Sequence, residues 1–117
     1  MAKLYKTSDN GAELLLNQLT IADGLWSRGR GLLGRKSLPE NEALWIVPGN
    51  NIHTFFMKFA IDCIFVDKKL EIKKLVSNAE PFRFVGPYWK AFSVFEVRSG
   101  FIELKKLKVG DHLYVVN

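Results

Sequence analysis

Short apolar runs alternating with polar residues fill most of this chain, and a two-residue period is the signature of strands with one solvated face. Residues 1–22 read as β, with Leu15, Asn17, Leu19 and Ile21 on one face, although Leu15, Leu16 and Leu19 also satisfy helical spacing. Between Asp23 and Arg35 the period changes. Leu25, Leu32 and Leu33, with Trp26 and Gly29, form a stripe at helical spacing. The Asp23 carboxylate can cap the first turn, and Gly34 is a natural stop. Gly29, Gly31 and Gly34 each weaken such a helix by about 1 kcal/mol relative to alanine. Packing must therefore hold it.

Further along, residues 43–47 read as a short buried strand and Pro48-Gly-Asn-Asn51 as a turn. Residues 61–66 and 70–76 form two strands joined by a hairpin turn at Asp67-Lys-Lys69. Residues 78–88, with Pro81, Gly86 and Pro87, read as an extended or looping connection. Residues 91–97 alternate as a strand, 102–107 are one helical turn or a loop, and a tight turn at Val109-Gly-Asp111 leads into a last strand at 112–116. The sum is a mainly β chain with one short helix (α+β), arranged as a small, mostly antiparallel β-barrel or rolled sheet.

At 117 residues the chain has the length of a single domain, 1–117, and its 48% hydrophobic content suffices for a core. One cysteine, Cys63, excludes an internal disulfide, and no Cys/His spacing suggests structural zinc. No apolar run is long enough for a signal peptide or a membrane span, so the expected location is cytoplasmic. The net charge of +5 raises the prospect of a polyanionic partner such as nucleic acid. Scattered pairs (Lys68-Lys69, Lys73-Lys74, Lys105-Lys106) fit protected strand edges better than a binding stripe. No cofactor is implied, and the oligomeric state is not legible.

One stretch stands apart: His53-Thr-Phe-Phe-Met-Lys-Phe-Ala-Ile-Asp62 sets polar groups into an apolar segment. Together with Arg30-Gly-Leu-Leu-Gly-Arg35, Phe65-Val-Asp67, Pro81, Phe95-Glu-Val97 and Gly110-Asp111, in this order, it resembles the DUF192 family from about residue 12 to the C-terminus. The resemblance implies a β-barrel-like fold with a helix after the first strand, and it implies no reaction. Ala60 departs from the proline many members carry before the Ile-Asp pair, and Ala43 from a common glycine.

His53 and Asp62 are the catalytic candidates, a carboxylate orienting an imidazole for general-base work in a small hydrolase or transferase. Along one unbroken strand they would stand roughly 30 Å apart, so the pair demands a break near Lys58–Ala60. The structural alternative has His53 capping a strand end and Asp62 accepting backbone or Arg/Lys hydrogen bonds. Cys63, among apolar neighbours, reads as an inert thiol, and His53, Asp62 and His112 are too few for a metal site. Arg28, Arg30 and Arg35 can hold an anion bidentately, or else Arg30 or Arg35 locks the helix to the sheet through Asp62, Glu96 or Asp111. Glu96, in an apolar strand, is expected to need such a partner. The leading expectation is a non-enzymatic binding module. Its groove between helix and barrel, edged by Arg30, Arg35, His53, Lys58 and Asp62, would take a small polar or anionic ligand or a peptide.

Overall fold

A computed structural model describes residues 2–117; of the residues expected to be β, Met1 lies outside that range. The alternating N-terminal segment forms a hairpin of β1 (Ala2–Ser8) and β2 (Gly11–Ala22), followed by α1 (Leu25–Arg30) and β3 (Glu42–Ile46). The signature stretch begins in β4 (Ile52–His53) and ends in β5 (Ile61–Val66). Then come β6 (Ile72–Ala79), β7 (Phe84–Val85), β8 (Ser93–Arg98), α2 (Phe101–Leu104) and β9 (Leu113–Val116).

Seven strands make one sheet in the order β6-β5-β8-β3-β2-β1-β9, while β4 and β7 pair separately. All pairings are antiparallel except β2 with β3, whose parallel register needs the long crossover that carries α1. The sheet rolls until its edge strands β6 and β9 meet at one end. There a lone bridge joins Glu71 to His112, and the Ile72 N–H donates to the Asp111 carbonyl at 2.8 Å. It does not close into a barrel, so the rolled sheet is the form the chain adopts.

Two cores flank the central strands. Inside the roll lie Leu4, Leu16, Leu19, Ile64, Phe95 and Phe101. On the outer face of β3, β5 and β8 lie Leu32, Leu44, Ile46, Ile52, Met57 and Phe65. Every residue of β5 is buried, which explains why 61–66 shows no polar alternation: neither face meets water.

The helix after β2 is shorter than the apolar stripe suggests. It spans six residues, starts from Gly24 rather than Asp23, and buries none of its own side chains. The Ser27 hydroxyl accepts the Gly24 N–H at 3.1 Å in place of an aspartate cap. It ends at Gly31 (φ 51°) rather than Gly34, in a left-handed conformation that a side chain would strain. This early turn brings Leu32 and Leu38 into the outer core while Leu25 and Trp26 stay in solvent. The segment at 102–107 does hold a helical turn, in α2.

Candidate functional site

Two carboxyl groups sit on neighbouring central strands, and the pleat sends them to opposite sides. Directly paired residues share a face, so the registers Asp62↔Val97 and Cys63↔Glu96 put Asp62 with the inner face and Glu96 with the outer. Leu44 of β3, also paired with Glu96, lies on that outer side.

Asp62 is fully buried and fully used. Its Oδ1 accepts the Asn78 N–H at 2.8 Å, and its Oδ2 accepts those of Gly100 at 3.1 Å and Ile102 at 3.0 Å. The latter two belong to the cap and first turn of α2, whose N–H groups have no intrahelical partner. An aspartate on β5 therefore caps a helix in a distant segment and ties down the end of β6. Of the readings for Asp62, acceptance of backbone hydrogen bonds is the one realised.

His53 is exposed on β4, on the other side of the sheet. The chain does break within the signature, but the break starts earlier than expected, in a turn at Phe55–Phe56 where Phe56 has φ 65°. Thr54, fully buried, fixes this break to the segment ahead of β7. Its N–H donates to the Arg83 carbonyl, its hydroxyl accepts the Arg83 N–H, and that hydroxyl donates to the Glu80 carbonyl. The break delivers His53 to the outer face and Asp62 to the inner one. They do not meet, and a base oriented by Asp62 is not available to His53. The reason is parity: the turn changes direction, while Asp62 remains one residue out of phase with the outward-facing Ile61 and Cys63.

His53 instead borders a pocket of about 580 Å³ on the outer face, between α1, the β4–β7 pair and the sheet. Its walls are apolar, with Leu32, Ile46, Ile52, Met57 and Ala91 among them. Three basic residues line it: Arg28 and Arg30 from α1, and His53 from β4. Exposed Leu25 and Phe84 stand at its mouth. Three residues of the expected groove are elsewhere, Asp62 on the inner face among them. Arg35 pairs with Glu42 at 2.8 Å near the base of β3, and exposed Lys58 does not line the pocket. The ion pairs formed among the described residues leave out Arg28 and Arg30, so the anticipated lock to Asp62, Glu96 or Asp111 is not formed.

The one acidic residue lining this pocket is Glu96, 3% exposed. Among the described residues its Oε1 is the buried side-chain polar atom without a hydrogen-bond partner. A Cβ built on Gly31 would lie 4.0 Å from that atom, so the end of α1 hangs directly over the carboxyl. Burial pushes its pKa from 4.5 up to about 8, leaving it mostly a neutral acid at pH 7. The sequence marks Glu96 as an acid in an apolar strand. It does not show the open space that takes the place of an arginine partner. Next to it, burial first and then Glu96 and Asp62 push the Cys63 thiol well above its ordinary range, which makes it a poor nucleophile.

A rolled, mostly antiparallel sheet with a pocket under a short crossover helix defines the structural class. Within it, residues 6–115 match the DUF192 family, described as an uncharacterised ACR, and the chain belongs to that family. It is 34% identical over 102 residues to a UPF0127 protein of Thermococcus sibiricus, covering 82% of this chain and 64% of that protein. With a UPF0127 protein of Pyrococcus furiosus it shares 32% identity over 101 residues, covering 82% and 84%. The chain thus spans less than two thirds of the Thermococcus relative. A crystal structure of a Novosphingobium aromaticivorans protein of unknown function has the same fold. Its TM-score is 0.82 at 19% identity, over 96% of this chain and 83% of that one.

Proposed function

We propose that the protein is a binding module that takes a small anionic ligand with an apolar body in the pocket beneath α1. The observation that carries this reading is the pocket's make-up: about 580 Å³ of largely apolar space lined also by Arg28 and Arg30, which bring positive charge, and by the polar ring of His53. Volumes of a few hundred Å³ with few convergent polar groups are typical of small-molecule sites. A guanidinium grips a carboxylate or phosphate through two parallel hydrogen bonds, while Leu25 and Phe84 at the mouth suit an apolar chain. The basic surface supports nucleic-acid binding less well. Lys73 is paired with Glu71 at 2.7 Å, and Lys68, Lys74 and Lys105 lie over the rings of Phe92, Tyr88 and Phe101. Those cations are dispersed rather than aligned along a strand-binding groove.

Amide and side-chain NMR shift mapping with octanoate, inorganic phosphate and hexylamine tests the reading. The expected result is a saturable set of shifts at Arg28, Arg30, Ile52 and His53 with octanoate, weaker with phosphate and absent with hexylamine. Shifts that avoid those residues with both anions would overturn it.

A further inference from the structure

Resting on that reading, we propose that Glu96 serves the pocket as a neutral hydrogen-bond donor to the ligand's anionic group, so that anion binding requires a proton on Glu96. A buried carboxyl is normally satisfied, as Asp62 is by its three N–H groups. Glu96, on the adjacent strand β8, has an orphaned, buried Oε1, and the residue lines the pocket beneath the end of α1. The ionised form would be a bare buried charge, an arrangement proteins avoid by neutralising the group. In its protonated form the carboxyl carries an O–H, and the pocket then presents donors from three elements: the guanidinium groups of α1, the imidazole of β4 and the acid of β8.

Among the described residues no ion pair forms with Glu96. From β5 the facing titratable side chain is Cys63, held as a thiol; on β3 Leu44 is paired with Glu96 and Glu42 lies two residues away on the same face, as Arg98 does on β8. From α1 come Arg28 and Arg30, and from β4 His53. None of these is hydrogen-bonded to Oε1. A cationic ligand would enter against three basic side chains, whereas an anionic one meets them favourably and keeps the proton on Glu96. The ligand class that follows is an apolar-tailed carboxylate or phosphate monoester, recognised as its anion. No bond to carbon forms or breaks. The proton stays on Glu96 while shared with the ligand oxygen, and it passes to solvent when the pH rises and the ligand leaves.

The test is the affinity of the full chain for octanoate and octyl phosphate between pH 6.5 and 10 by calorimetry, with hexylamine as the opposite-charge probe. Wild-type affinity is expected to hold up to about pH 8 and then to fall by about tenfold per pH unit. Glu96→Gln keeps an N–H donor without the titrating proton, so its affinity should lose that slope, and Glu96→Leu should bind at least tenfold more weakly at pH 7. A measurement on the wild type alone guards against variants that fold poorly. Saturating octanoate should move the Glu96 carboxyl titration, followed by carbon-13 NMR, to higher pH. Octanoate binding with a flat wild-type profile, or with a Glu96 titration that moves down, overturns the proton-donor role and leaves the binding-module reading standing. Octanoate and octyl phosphate that bind nowhere in the pocket overturn both. Preference between the two anions distinguishes a carboxylate source from a phosphate one.

Discussion

Asp62 and Glu96 occupy strands that pair with each other, both are buried, and their surroundings could hardly differ more. On the inner face, Asp62 meets the unpaired N–H groups at the start of α2 and one from β6. On the outer face, Glu96 meets Leu44, Cys63 and the end of α1, and lines the pocket there. The same chemical group is a structural tie where backbone donors surround it and an acid of raised pKa where none do. Burial by itself decides neither outcome. What decides is whether the folded chain brings polar partners to the group.

The widest test of this contrast is to remove the tie. Asp62→Ala leaves three N–H groups without their acceptor, two of them at the cap of α2, and should lower stability by about 3–5 kcal/mol in urea unfolding. A loss below about 1 kcal/mol would mean that water or a neighbour replaces the carboxylate easily, and the contrast would collapse.

Glu96 should behave in the opposite sense. For an acid whose folded pKa is raised, the native state holds the proton after the unfolded chain has lost it. Stability is then undiminished below pH 4.5, falls as pH rises, and levels off above about 8. Within that window the slope from this group is about 1.4 kcal/mol per pH unit. Thermal or urea unfolding of wild type and Glu96→Gln at pH 5 and pH 8 should show the variant gaining relative stability at the higher pH. A difference that is constant across the window would place Glu96 in a wetter or better-paired setting.

The smallest effect belongs to an ion pair outside the contrast. Arg35 and Glu42 meet at 2.8 Å, but their side chains are 45% and 27% exposed, so Arg35→Ala should cost less than about 1 kcal/mol and less still in high salt. It should leave octanoate binding unchanged. A clear loss of affinity would return Arg35 to the site and redraw the pocket's edge.

Local sequence carried much of the fold because strands announce themselves through a two-residue period and turns through Gly, Pro, Asn and Asp. Residues 102–107 left a helical turn and a loop both open, whereas 61–66, 91–97 and the hairpin turn at Asp67 were legible. That turn is built as Asp67 allows, with its Oδ1 accepting the N–H groups of Lys69 at 2.9 Å and Glu71 at 3.0 Å. The helix at 25–30 was legible in place but not in length, since the apolar stripe counted Leu32 and Leu33, which belong to the turn beyond Gly31. The short pair β4 and β7 was not legible, because Ile52–His53 and Phe84–Val85 are too brief to show any period.

What the sequence determined by itself is the supply of parts: a strand-rich chain, a family signature, an aspartate and a glutamate placed among apolar residues, and arginines on a glycine-weakened helix. Only the tertiary structure decided their roles. His53 and Asp62 share a motif but lie on opposite faces of the sheet, and Glu96, separated from His53 by the whole of β5, β6 and β7, joins it at one pocket. Side-chain parity along a strand is a local property, but which backbone or cavity faces each side depends on segments brought together by the roll of the sheet. Hydrogen-bond satisfaction, and with it the protonation of a buried acid, is therefore settled across the fold rather than along the chain.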